Sequence, residues 1–406
     1  MEKKDSTPRS LRLHIGLYGK RNSGKSSLLN GICGYEASIV SDVPGTTADA
    51  VYRNIEMPGL GACVLVDTAG FDDKAETIGE LRVKATQKTV DAADMALMVV
   101  AADDASDLDE EMAWLEAMKK KQVPTVVVIN KADMAGTEEN RKRIADVLGT
   151  CAGGSVLEVS SESRTGIDAL KKLVAEKLKD KAEIVDITGN LVGAGDTVVL
   201  VMPQDSQAPR GRLILPQVQT LRNLLDKGCT AVCCTEANFA ETLERLKDAP
   251  RLVITDSQVF KQVEEICPKE SMLTSFSVLF ARVKGDIGIF VEGAQKLAQL
   301  KEGSRVLIAE ACTHTPQNED IGRVKLPRLL KRFAGEGVHI EHASGNEFPE
   351  DLSPYDLIIH CGACMFNRRL VLSRVEKARE QGVAMTNYGI AIAFMNNILK
   401  RVVFPD

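Results

Sequence analysis

The chain has 406 residues, enough for two or three domains, and a formal net charge of −6. With 44% hydrophobic and 27% charged residues it reads as a globular protein, and no global basic field draws it to nucleic acid or anionic lipid. Met1–Ser10 is charged and lacks an apolar signal core, and no apolar run approaches bilayer length, so a soluble, cytoplasmic protein is expected.

From Leu11 to about Asp180, short apolar runs alternate with helical patterns. The runs are Leu13–Tyr18, Cys63–Val66, Met95–Ala102, Thr125–Ile129 and Val156–Val159. This alternation predicts an α/β unit, a mostly parallel sheet with helices on both faces. Its first strand runs into Gly19-Lys20-Arg21-Asn22-Ser23-Gly24-Lys25-Ser26-Ser27, the G-x4-G-K-S phosphate loop. The glycines let backbone N–H groups face a β-phosphate at a helix N-terminus. Lys25 is placed to reach the β- and γ-oxygens, and the Ser26 hydroxyl to bind Mg²⁺. In the next loop, Pro44-Gly45-Thr46-Thr47, a threonine hydroxyl is expected on Mg²⁺ when a γ-phosphate is present, Thr47 rather than Thr46.

After the second run comes Asp67-Thr68-Ala69-Gly70, with Asp67 expected to hold Mg²⁺ through water and the Gly70 N–H to sense the γ-phosphate. After the fourth comes Asn130-Lys131-Ala132-Asp133, whose carboxylate matches the N1–H and N2–H₂ donors of guanine. Adenine lacks that donor pair. Ser160-Ser161 follows the fifth run and is expected to close over the base. Four motifs in order, each at a strand end, point to GTP/GDP with Mg²⁺ as the ligand. Phe71 follows Gly70 where Ras-like enzymes keep a water-orienting glutamine, so intrinsic hydrolysis should be slow. Asn22 resembles the loop asparagine of the TrmE–Era GTPases, which in that group helps to bind K⁺ beside the phosphates; its other reading is a brace for the loop.

A Gly-containing connector, Thr188–Gly195, leads to predicted strands Thr197–Met202, Thr230–Cys234 and Leu252–Thr255. This small α/β stretch, 181–268, shows no chemistry and is expected to be structural or dimerising. The last stretch, 269–406, repeats the βα texture with strands Arg305–Ala309, Val338–His342 and Leu357–His360, and ends in a packed apolar helix within Gly389–Val403.

Ten cysteines in a large chain argue against a disulfide framework. Cys33, Cys63, Cys151, Cys229, Cys233, Cys234 and Cys267 read as core thiols. The other three form Cys312-Thr-His314 and, after 46 residues, Cys361-Gly-Ala-Cys364, each at a strand end. Three thiolates and an imidazole suit either zinc or an iron–sulfur cluster. Cys364 is expected to begin a helix running through Arg369 and Val375. His14, His339, His342 and His360 read as ordinary strand or surface histidines.

A TrmE–Era-like GTPase joined to C-x-H…C-x-x-C resembles the FeFe-hydrogenase maturation GTPases, the HydF family, over essentially the whole chain. The resemblance implies a 1–180 GTP-binding domain, a 181–268 dimerisation domain and a 269–406 iron–sulfur domain. It implies a 4Fe–4S cluster on Cys312, Cys361 and Cys364 with His314 a candidate at an exchangeable fourth position. It further implies a homodimeric scaffold that receives a di-iron subcluster precursor from radical-SAM maturases and delivers it to apo-FeFe-hydrogenase. The switch reads Gly45-Thr46-Thr47-Ala48-Asp49 where TrmE–Era proteins typically have arginine, so contacts made by that arginine do not carry over. Two other classes fit parts of the pattern, a zinc-stapled regulatory GTPase and a ribosome- or tRNA-associated GTPase. The acidic composition and the lack of a KH-type segment oppose the second.

Overall fold

The computed structural model describes residues 8–34, 50–70, 86–181, 186–203, 213–311, 320–345 and 347–406. They form two compact units, Met1–Ile184 and Val185–Asp406. Among the described residues no helix is long and apolar enough to cross a membrane.

The first unit is built on six strands: β1 (Leu13–Tyr18), β2 (Val51–Met57), β3 (Gly61–Asp67), β4 (Met95–Ala101), β5 (Thr125–Asn130) and β6 (Val156–Glu158). Their order is β2-β3-β1-β4-β5-β6. All neighbours are parallel except β2 and β3. Period-two alternation feeds both faces. Leu97 and Val99 pack with Leu28, Leu29, Leu170 and Val174 on one face. Ala96, Met98 and Val100 pack with Leu115, Met118, Ile144 and Leu148 on the other. β2 was not foreseen: it is an edge strand carrying Arg53, Asn54 and Glu56, with every second residue of Tyr52–Glu56 exposed.

The second unit contains two all-parallel four-stranded sheets. One holds β7 (Thr197–Val201), β8 (Thr230–Cys234), β9 (Leu252–Thr255) and β10 (Met272–Ser275), in the order β10-β9-β7-β8. It therefore continues past residue 268. The other holds β11 (Arg305–Glu310), β12 (His339–Ser344), β13 (Leu357–His360) and β14 (Ala384–Asn387), in the order β12-β11-β13-β14. Taken in chain order, both sheets run second, first, third, fourth. They share a core in which Val199, Val253 and Leu273 join Ile308, Ile359 and Ile390.

The helix Tyr388–Met395 within that core is buried nearly all round. A Cβ at Gly389 would sit 2.4 Å from Ser277 Cβ, so glycine permits its close packing on the helix Phe276–Lys284. Helix Ile287–Gln295 lies so near β14 that a Cβ at Gly293 would meet Met385 O at 2.0 Å. At β10, Val402 bridges to Leu273, and the Val403 N–H donates to Leu273 O at 2.9 Å. β8 is the opposite edge strand of that sheet, unpaired on its outer side among the described residues, with Cys233 exposed.

Candidate functional site: a phosphate loop and a cysteine edge

The phosphate loop leaves β1 at Gly19 and enters the helix Lys25–Cys33. Gly24 has φ 89°, and a Cβ there would meet Asn130 Nδ2 at 2.2 Å, so close approach demands glycine. Asn22 is exposed with φ 59°, at the tip of the turn. Buried Lys25 is folded onto its own loop, its Nζ donating to Gly19 O at 2.8 Å and Lys20 O at 2.7 Å.

The Ser26 hydroxyl donates to Asp67 Oδ2 at 2.6 Å, so the two residues expected to hold Mg²⁺ are together. Asp67 is 1% exposed, and among the described residues its Oδ1 has no partner. Burial raises its carboxyl pKa, with the Ser26 hydroxyl and the Lys25 ammonium opposing. A buried, half-satisfied carboxylate beside a hydroxyl is a donor set that a hard divalent cation completes. Gly70 is described two residues beyond Thr68, whose hydroxyl donates to Leu17 O at 2.6 Å and ties this loop to β1.

Asn130 joins the base side to the phosphate side. Its Nδ2 donates to Ser23 O at 3.2 Å, while its Oδ1 accepts from Ser161 N at 3.1 Å and Ser161 Oγ at 2.9 Å. Ser160 is buried, and its Oγ accepts from Ser163 N at 3.0 Å, shaping the same turn. Lys131 has φ 60° and pairs with Asp103 at 2.9 Å. Asp133 is exposed at the mouth of this loop.

One brace has no signature in the sequence. Lys20 pairs with buried Glu111 at 2.9 Å and donates to Asp107 O at 2.6 Å, across 87 to 91 positions. It fixes the loop carbonyl that receives Lys25. Thr46, Thr47 and Phe71 lie outside the described residues, as do Cys312 and His314.

The cysteine loop leaves β13. Cys361 Sγ accepts the Ala311 N–H at 3.0 Å and the Ala363 N–H at 3.4 Å. Ala311 follows β11 and immediately precedes Cys312. The two cysteine motifs therefore leave the sheet at adjoining strand ends, between β11 and β13, where the strand order reverses. Burial pushes the Cys361 thiol up to about 11 although the two N–H groups act in the opposite direction. Polarised N–H groups aimed at sulfur fit a thiolate that a metal would stabilise. Among the described residues no three or more His, Cys, Asp or Glu are arranged so that they could hold a metal ion.

Cys364 does not open a helix. The helix is Arg368–Glu380, capped by Asn367, whose side chain accepts the Leu370 N–H at 3.3 Å. The N–H groups at Cys361 thus come from strand-end and loop backbone rather than from a helix terminus. Burial also lowers Lys284 to about 8, with Cys364 opposing the shift, and its Nζ donates to Phe366 O at 2.7 Å. His360 is no surface residue; it is 1% exposed, and burial together with the Arg374 charge lowers it to about 3.

A six-stranded sheet with a phosphate loop after β1, the Ser26–Asp67 pair and the Asn130 bridge defines a P-loop GTPase. Comparisons with known proteins agree: residues 14–131 match the 50S ribosome-binding GTPase family. Residues 187–285 match the hydrogen maturase F dimerization domain, and residues 288–405 its tetramerization domain. The chain belongs to the hydrogen maturase F family.

Curated relatives align mainly over the GTPase unit. The tRNA modification GTPase MnmE of Leptospira interrogans is 30% identical over 233 residues, 56% of this chain and 46% of that one. GTPase Era of Heliobacterium modesticaldum is 31% identical over 166 residues, 41% and 55% of the two chains. The chain thus spans about half of these relatives' lengths. Among solved structures, Era in complex with MgGDPNP and 16S ribosomal RNA gives a TM-score of 0.37 at 18% identity, covering 55% of this chain and 93% of that one. The K⁺-bound NFeoB of S. thermophilus gives 0.33 at 23%, covering 40% and 61%. Likeness at that level bears on neither ligand nor partner.

Proposed function

We propose that this chain is a cytoplasmic GTPase scaffold of FeFe-hydrogenase maturation. It would hold a 4Fe–4S cluster on Cys312, Cys361 and Cys364 and carry a di-iron precursor from radical-SAM maturases to apo-hydrogenase. The observation that carries this reading is the Ala311 N–H on Cys361 Sγ at 3.0 Å, which brings the residue before one cysteine motif to the sulfur that opens the other. When bound, the cluster supplies an iron with an exchangeable position through which cargo can be held. His314 is the candidate for that position between deliveries.

In the nucleotide site, Gly19, Asn22, Ser23, Gly24, Lys25, Ser26 and Ser27 would cradle the phosphates. Ser26, Thr47 and Asp67 would hold Mg²⁺, with Gly70 reading the γ-phosphate. Asn130, Lys131, Asp133, Ser160 and Ser161 would enclose guanine, and Thr46 would support the switch. Asn22, at an exposed left-handed turn, would help to hold K⁺, which then supplies positive charge where an arginine finger otherwise would. Hydrolysis in this scheme controls partner exchange.

The homodimer would form through β8, the edge strand that falls within the dimerization-domain match, since β10 at the other edge of that sheet is already bridged by Val402. No nucleic acid or membrane partner is part of this reading. The test is transfer: the iron-loaded protein, with its di-iron cargo, should activate apo-hydrogenase, and Cys364→Ser should not. Lys25→Ala should lose GTP binding while keeping its iron. Equal activation by Cys364→Ser and wild type would overturn the scaffold role.

A further inference from the structure

His360, the last residue of β13, precedes Cys361 with both ring nitrogens engaged. Nδ1 lies 2.8 Å from Cys361 O, and Nε2 lies 3.0 Å from Arg374 Nη1. A guanidinium can only donate, so Nε2 accepts and the proton of the neutral ring sits on Nδ1, donating to the Cys361 carbonyl. Arg374 is itself fixed. It is 4% exposed, its Nη2 donates to Gly345 O at 2.6 Å, and its guanidinium lies 4.7 Å from each of the Phe348 and Phe366 rings. Phe366 is two residues beyond Cys364, so one guanidinium steadies both ends of the cysteine loop.

We propose that His360 and Arg374 are positioning residues for the Cys361 thiolate, and that His360 is not itself an iron ligand. The pair anchors the Cys361 backbone so that its Sγ stays beneath the Ala311 and Ala363 N–H groups. No nitrogen lone pair of His360 remains to reach a metal. The inference rests on the reading that Cys361 holds iron, and it narrows the source of the fourth ligand to groups other than His360.

The test uses the full chain, reconstituted anaerobically with iron and sulfide. In His360→Asn the side-chain amide N–H can replace Nδ1–H, whereas His360→Leu removes the bond. Loss of such supporting contacts typically weakens metal retention about 10- to 100-fold. His360→Leu should therefore shed iron to a chelator at least about tenfold faster than wild type. His360→Asn should stay within about twofold, with an unchanged EPR spectrum. Arg374→Lys, which keeps the charge but loses the forked contact, should fall between them.

Altered g-values in His360→Asn, or loss of a histidine-nitrogen coupling present in wild type, would make His360 a ligand and overturn the proposal. Iron retention in folded His360→Leu equal to wild type would overturn it too. If wild type takes up no iron, the scaffold reading fails first. Alkylation of Cys361 in the iron-free chain then decides the positioning role, which requires faster modification in His360→Leu and Arg374→Lys but not in His360→Asn.

Discussion

The two sheets of the second unit run in the same strand order, all parallel, yet among the described residues only one places a cysteine sulfur where that order reverses. In the third sheet of the chain the reversal lies between β11 and β13, and it holds the Ala311 N–H on Cys361 Sγ. In the second sheet it lies between β7 and β9, which end in Val201 and Thr255. The next residue, Asp256, turns back on its own chain, its carboxylate accepting the Gln258 N–H at 3.0 Å. Sheets of this topology commonly open a crevice at such a reversal. The residues in the loops decide whether the crevice becomes a site.

The edges are alike. Among the described residues β10 is bridged by Val402 and β14 lies under a helix that only Gly293 lets so close, while β8 and β12 take the opposite edges of the two sheets.

The contrast at the reversal points can be broken by paired substitutions. Cys361→Ser should cut iron retained after gel filtration at least about tenfold, whereas Asp256→Asn at the matching strand end should leave it unchanged. Equal losses would mean that iron follows the stability of the unit and not a site in one sheet.

The next effect is on the iron-free chain in acid. His360 is buried neutral, its pKa lowered to about 3 from 6.5 in the unfolded chain. Unfolded chains then bind the extra proton below 6.5, so stability present above that pH is lost as pH falls toward 3. The limit is on the order of 5 kcal/mol, at about 1.4 kcal/mol per pH unit. Denaturant titrations at pH 7 and pH 4 should differ less in His360→Asn than in wild type, and an unchanged difference would remove His360 as the cause.

The smallest effect concerns association. Cys233→Lys places a like charge along β8 in both copies and should weaken a dimer by about 1 kcal/mol, roughly fivefold in its constant, seen by sedimentation. The same change at Glu341 of β12, Glu341→Lys, should not.

Much of this was legible in the sequence, and for local reasons. The phosphate loop, Asp67 and Asn130 each follow an apolar run that can only be a buried strand, so motif and element confirm one another. β1, β8, β9 and β13 begin and end where their apolar runs do. β2 was missed because an edge strand with charged alternate residues looks like a loop. β10 and β14 were missed because four-residue strands with Ser, Thr and Asn carry little signal. The common strand order of the last two sheets has no counterpart in sequence repeats, since topology depends on where apolar runs fall and not on which residues fill them. Glu111, His360 and Arg374 act through partners 14 to 91 positions away, and no spacing rule reaches that far. The helix expected at Cys364 starts later because Asn367, not the cysteine, supplies the cap.

The reversal point of the last sheet is proposed as an iron–sulfur site in a GTPase. Iron and acid-labile sulfide per chain, measured after anaerobic reconstitution alongside absorbance and EPR, test it most directly. Wild type should hold about four of each with a reducible cluster signal, and Cys361→Ser almost none. A colourless wild-type protein that keeps about one equivalent of zinc would contradict it.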